Sequence, residues 1–132
     1  MPGVLAAVAL LLIFIGGIGC KSEAEKAVDE TLESTLELHD QVYRILEANI
    51  DDPDAALSQL RKLEESSRTQ RKQYRQDGKA AIQELSDEAR ATFEEHAKER
   101  HAEYAGKFAA TLQRYETSHR NELKGLVSTI TH

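Results

Sequence analysis

The stretch that decides the fold is residues 22–50, SEAEKAVDETLESTLELHDQVYRILEANI, which contains neither glycine nor proline. Its apolar residues recur at spacings of three and four, which places them on one stripe of a helix. They are Ala24, Ala27, Val28, Leu32, Leu36, Leu38, Val42, Ile45, Leu46 and Ile50. Because the other faces are polar and charged, the stretch predicts an amphipathic helix that needs neighbours on one side.

The segment that follows, Asp51-Asp52-Pro53-Asp54, is typical of a tight turn between two helices. Aspartate caps helices, proline is favoured at the first helical position, and an acid in the first turn interacts favourably with the helix dipole. A second helix is therefore predicted over residues 53–85, with Ser67 and Gln70 as polar positions on its seam. Asp77-Gly78 is an alternative end for this helix.

A third helix is predicted over residues 87–130, because Ser86 is a capping residue and two acids follow it. At about 43 residues this helix would extend roughly 65 Å and overhang the other two. The overhang would carry four apolar residues, which become candidates for contact with another protein. They are Leu123, Leu126, Val127 and Ile130.

Together these helices predict an all-α fold for residues 20–132, an elongated antiparallel three-helix bundle with coiled-coil-like packing. Residues 21–54 carry eleven acids and three bases, whereas residues 61–75 carry six bases and two acids. Pairing of an acidic with a basic helix is the preferred interpretation, and contact with an acidic partner or anionic lipid is the alternative. Nucleic-acid binding is not expected at a net charge of -6.

The N-terminal residues have the layout of an exported precursor. Residues 4–15, VLAAVALLLIFI, are uninterruptedly apolar, small residues follow, and charge begins at Lys21. A helix of this length rises roughly 18 Å, short of the roughly 30 Å hydrocarbon core of a bilayer, but it is long enough for a signal peptide. The sequence therefore predicts a signal peptide over residues 1–19.

The last small residues, Gly17-Ile18-Gly19-Cys20, resemble the lipobox of bacterial lipoproteins. The resemblance implies cleavage after Gly19, a diacylglyceryl group on the Cys20 thiol, and further acylation, for example with palmitate, of the new amino terminus. Two or three acyl chains anchor a protein far more firmly than one. Lys21, in place of aspartate, favours the periplasmic face of the outer membrane if the host is Gram-negative. A single transmembrane anchor, or an incidental apolar segment with a structural cysteine, remains open.

No pattern in the sequence indicates an enzyme, because it contains neither a glycine-rich phosphate loop nor a G-x-S-x-G elbow. Glu116 and His119 have the Glu-x-x-His spacing of di-iron bundles, but those sites need a second such pair and two further glutamates. We therefore expect no metal, no small-molecule substrate and no cofactor other than the covalent lipid on Cys20.

The function predicted from the sequence is that of a membrane-tethered lipoprotein acting as a structural or protein-interaction module of the cell envelope. Its partner would be an envelope protein or a second copy. The alternative is a periplasmic helical chaperone or stress protein, since residues 85–89, LSDEA, are loosely similar to the helix starts of the Spy and CpxP group. A third class is a metal-binding helical protein using Glu116 and His119.

Overall fold

The computed structural model describes residues 22–132, which form four helices and no strand. The helices are α1 (Glu23–Ala48), α2 (Pro53–Gln83), α3 (Asp87–Leu112) and α4 (Thr117–Thr131). The predicted all-α helical bundle is thus confirmed. The predicted signal peptide, the cleavage position after Gly19 and the lipidation site Cys20 lie outside the described residues.

Three of the four helices begin at a side chain that caps the first turn. Ser22, Asp52 and Ser86 each accept a hydrogen bond of 3.1–3.2 Å from the backbone N–H three residues further along. Each cap satisfies one of the N–H groups that a helix start leaves without an internal partner. The second and third helices therefore start where the sequence predicts.

α2 continues through Gly78 and ends at Gln83, so the alternative end at Asp77-Gly78 is wrong. Gly78 is buried against α1. A Cβ atom added there would lie 3.2 Å from the side-chain methyl of Thr31. Glycine at this position therefore reflects the close approach of two helices and not the end of one.

The helices alternate in direction, and α1 packs against all three others. Ion pairs advance in the same direction along α1 and α3, from Glu33–Arg100 to Glu47–Arg114 just past the end of α3, so these helices run parallel. The acids of α1 therefore reach bases on α3, whereas the sequence led us to expect them to pair with the basic α2. α4 lies against α2 and α1.

The predicted continuous helix over residues 87–130 is wrong, and the three-helix count is not confirmed. The chain leaves helical geometry after α3, and Glu116 is extended, with φ of -59° and ψ of 141°. Arg120 holds this break, because its guanidinium donates to the carbonyl oxygens of Tyr115 at 2.9 Å and Gln113 at 2.7 Å. Carbonyls at a helix end have no partner within the helix, so the arginine satisfies groups that the break leaves free.

The predicted overhang is also wrong, because α4 folds back and closes the core. Leu123, Val127 and Ile130 are at most 5% exposed, and Leu126 is half-buried against the same cluster. Burying each large apolar side chain stabilises the fold by roughly 1.5–3 kcal/mol, which favours a folded-back helix over a free one. Within residues 22–132, no helix combines the length and the apolar character that crossing a bilayer requires.

Candidate functional site

The site with the most distinctive chemistry is a groove beside the second half of α2. α2 has 31 residues and α4 only 15. Near the end of α4, the carbonyl oxygen of Thr129 accepts a hydrogen bond of 2.9 Å from Arg71 of α2. From Tyr74 to its end, α2 therefore extends for about 15 Å past α4. The space left there has a volume of about 650 Å³.

The groove is lined by apolar and basic side chains. Among its apolar lining residues, Leu38 of α1 and Ile130 of α4 are at most 5% exposed, whereas Ile82 of α2 is half-buried and contributes apolar surface. Four bases also line it, and among residues 22–132 no aspartate or glutamate does, although the whole chain has 23 acids against 17 bases. The bases are Arg71, Arg75, Lys79 and Arg90. This local excess of positive charge is opposite in sign to the net charge of the protein.

Arg71 is already engaged within the fold. Its guanidinium donates to the Ser67 hydroxyl at 3.0 Å, to the Thr129 carbonyl, and to the backbone carbonyl and carboxylate of Glu64 at 3.0 and 3.3 Å. The side chain is only 11% exposed. Ser67, a predicted polar seam position, is buried as one of these acceptors, whereas Gln70 is exposed. Arg71 therefore joins α2 to α4.

Arg90 is partly engaged as well, because its guanidinium donates to the carbonyl oxygens of Ile82 and Leu85 at the end of α2, both at 3.4 Å. Arg75 and Lys79 differ from it. Both are exposed, and within residues 22–132 neither has an ion-pair or hydrogen-bond partner. They are four residues apart and so occupy one face of α2. The groove thus offers two uncompensated cations beside an apolar surface.

A cluster of three histidines borders a second cavity, of about 480 Å³, formed by His39 of α1, His101 of α3 and His132. The ring centroids of His39 and His101 are 5.1 Å apart. His39 is buried, and its Nδ1 donates to the Thr35 carbonyl oxygen at 2.8 Å. Burial lowers the pKa of His39, although the hydrogen bond to the Thr35 carbonyl opposes this shift, and burial also lowers the pKa of His101. The surroundings of His39 and His101 therefore favour their neutral forms.

Glu116 and His119, the candidate metal pair considered from the sequence, do not both lie within α4. Glu116 precedes α4 in an extended conformation, so it shares no continuous helix with His119. The nearest carboxylate to the His119 ring is that of Asp54, with Nε2 and Oδ1 4.0 Å apart. In the described part of the chain, no group of three or more histidine, cysteine or acidic side chains is arranged to hold a metal ion.

Comparison with known proteins found no match to a family model, to a curated protein or to a solved structure. The sequence placed Arg71 and Arg75 in a basic stretch without predicting a groove. The available signal was the spacing of three from Arg71 to Tyr74 and of four from Arg71 to Arg75, which places the three residues on one side of a helix.

Proposed function

We propose that this protein is a lipoprotein of the bacterial cell envelope that acts as a protein-interaction module and not as an enzyme. The lipobox-like residues 17–20 support an anchor of acyl chains on Cys20. Lys21 favours the periplasmic face of the outer membrane in a Gram-negative host. The helical domain would then be held at the membrane surface, where a partner encounters it at high local concentration.

The observation that carries the interaction role is the groove with its two uncompensated cations. A partner that covered Ile82 would remove apolar surface from water, and a partner with carboxylates near Arg75 and Lys79 would gain complementary charge. Complementary charge contributes specificity and association rate more than raw affinity. These two features together favour recognition of an envelope protein.

The tether is tested by intact mass and membrane fractionation of the expressed full-length chain beside Cys20→Ser. We expect a mature form that begins at Cys20, carries added acyl mass and fractionates with the membrane, and we expect the variant to lose both properties. An uncleaved and unacylated chain in the membrane would contradict the lipoprotein and indicate a signal anchor instead.

The interaction is tested by placing a photoreactive amino acid at Gln83, an exposed residue of the groove, in living cells. The matched control is the same substitution at Lys62, which is exposed on α2 and lies outside the groove. We expect a discrete protein adduct from Gln83 that Lys79→Glu abolishes. The same adducts from both positions would mean that the groove has no special role.

The chaperone remains a second candidate, because the apolar side chains of the groove also suit transient contact with unfolded envelope proteins. A chaperone of this kind would suppress aggregation of a model client, and Lys79→Glu would leave that protection largely intact. No protection of the client would remove this candidate.

A further inference from the structure

The groove occupies the position that a longer fourth helix would take. Ile130 and Thr131, at the end of α4, form one end of its lining, and α2 forms a side. α4 runs parallel to α2, as successive contacts from Arg61–Glu122 to Arg71–Thr129 establish. Beyond α4 the groove continues along α2 for about 15 Å, which is the length of about ten helical residues.

The side of α2 that lines the groove has the spacing of a helix-packing face. Its members are three and four residues apart, and they are Arg71, Tyr74, Arg75, Gly78, Lys79 and Ile82. This is the spacing at which one helix meets another, and an amphipathic helix that docks in a groove uses the same spacing for its anchors. An occupant with helical periodicity therefore matches this surface along its whole length.

The charge of the groove determines which kind of helix can bind there. Arg75 and Lys79 lie on α2, whereas Arg90 of α3 lies at the end of α2 and is 3.8 Å from the Asp87 carboxylate. Since no acidic residue in the described part of the chain lines the groove, a docked helix with acidic flanks meets complementary charge. A helix with basic flanks would place like charges close together, which costs binding energy.

A second folded copy of the protein does not offer such a helix. α1 is the acidic helix of this chain, but its apolar stripe is already buried in the core. That stripe includes Val28, Leu32, Leu36, Val42 and Leu46. A copy would have to unfold to present this face, so a second folded copy does not supply the occupant.

We infer that the groove binds an amphipathic helix of about three turns from another protein, apolar on one face and acidic along its flanks, which completes the four-helix bundle beside α2. This inference rests on the proposed interaction role and specifies the chemistry of the partner. The acidic flanks pair with Arg75 and Lys79, and the apolar face covers the half-buried Tyr74 and Ile82.

The test uses the full-length protein in nanodiscs of zwitterionic lipid and a fluorescent, stapled synthetic helix with leucine on one face and glutamate along both flanks. We expect saturable binding of one peptide per protein. Arg75→Glu and Lys79→Glu should each weaken it by about tenfold, and added salt should weaken it further. The matched control Lys72→Glu, also exposed on α2 but outside the groove, should change affinity less than about twofold.

A peptide with lysine in place of glutamate provides a second measurement that needs no protein variant to fold. It should bind poorly to the natural protein and better to Lys79→Glu. Binding that a scrambled peptide reproduces, or that Lys72→Glu weakens as much as Lys79→Glu does, would overturn the inference. So would absence of saturable binding, or a groove that binds phosphatidylglycerol vesicles and not the acidic helix.

Failure of this inference is separable from failure of the proposed function. The peptide measurement does not depend on Cys20, and the mass and fractionation measurement does not depend on the groove. A lipidated protein that ignores the acidic helix would retain the tether and lose this partner class.

Discussion

The Tyr115 hydroxyl donates a hydrogen bond of 2.6 Å to the backbone carbonyl oxygen of Leu46, which joins the turn after α3 to the last turn of α1. Both residues are almost fully buried. A carbonyl in the last turn of a helix has no partner within that helix, and here the phenol replaces the water that would otherwise serve. This contact fixes where the chain turns between α3 and α4.

Tyr115→Phe is expected to lower the free energy of unfolding by about 1–3 kcal/mol, because it leaves the Leu46 carbonyl buried without this partner. Urea unfolding monitored by circular dichroism measures the change. Tyr74→Phe is the control, since Tyr74 is half-buried and its hydroxyl is bonded only to the exposed Gln70. Equal losses in the two variants would mean that the Leu46 contact is not special.

The hydrogen bond from Tyr115 to Leu46 should also make stability depend on pH in the alkaline range. Burial, followed by the charge of Glu47, raises the pKa of Tyr115 from 10.0 to about 12. The unfolded chain therefore releases this proton first, so the stabilisation is complete below pH 10 and is lost as pH rises toward 12. Tyr115→Phe should show a smaller loss over that range, and identical profiles for the two proteins would refute the assignment.

At acid pH, protonation of His39 should lower the stability of the fold. Because burial lowers its pKa below 6.5, the unfolded chain binds a proton that the folded protein resists. Stability is then complete above about pH 6.5 and falls as pH decreases toward the folded-state pKa. His39→Gln should reduce this dependence, whereas His96→Gln, at an exposed position, should not. Unfolding curves between pH 7.5 and about 5 make the comparison.

The folded-back position of α4 makes a packing prediction. Leu123→Ala should lower the free energy of unfolding by about 2–5 kcal/mol, because Leu123 is fully buried. Leu126→Ala should cost clearly less, since Leu126 is only half-buried at the edge of the same cluster. Similar small losses for both variants would instead indicate a helix that projects from the bundle.

The break between α3 and α4 leads to a further prediction about stability. Arg120→Met removes two hydrogen bonds to the carbonyls of Tyr115 and Gln113, and should lower the unfolding free energy by about 1–3 kcal/mol. Lys124→Met also replaces a basic side chain with methionine, but at an exposed position of α4, and it should leave the free energy of unfolding nearly unchanged. Urea midpoints compare the two, and a neutral Arg120→Met would show that the arginine does not hold the break.

The first two turns of the fold could be predicted because their chemistry is local. Asp52 and Ser86 cap the helices that follow them, and the sequence shows both caps directly. The third turn has no such signal, since Glu116 makes no side-chain capping bond. Apolar spacing also continues across it, from Leu112 through Tyr115 to Leu123, so periodicity alone describes a turning chain and a straight helix equally well.

The sequence contains a weaker signal for the third turn, between α3 and α4. Arg120 follows Tyr115 by five residues and donates to its carbonyl, just as Arg90 follows Leu85 by five and donates to its carbonyl. The two turns therefore share an arginine that reaches back to a buried residue. The groove was harder to predict, because it exists only through the difference in length between α2 and α4, and that difference depends on the missed turn.

The position of α4 in the chain also determines when the core can finish packing during synthesis. Its residues supply the last large side chains of the core, while α1 has emerged from the ribosome long before them. A chain that appears amino terminus first leaves the surfaces of α1 and α2 that α4 covers exposed until α4 has been made. A product cut short before Thr117 would never cover them, which makes it a substrate for proteases that recognise exposed apolar surface.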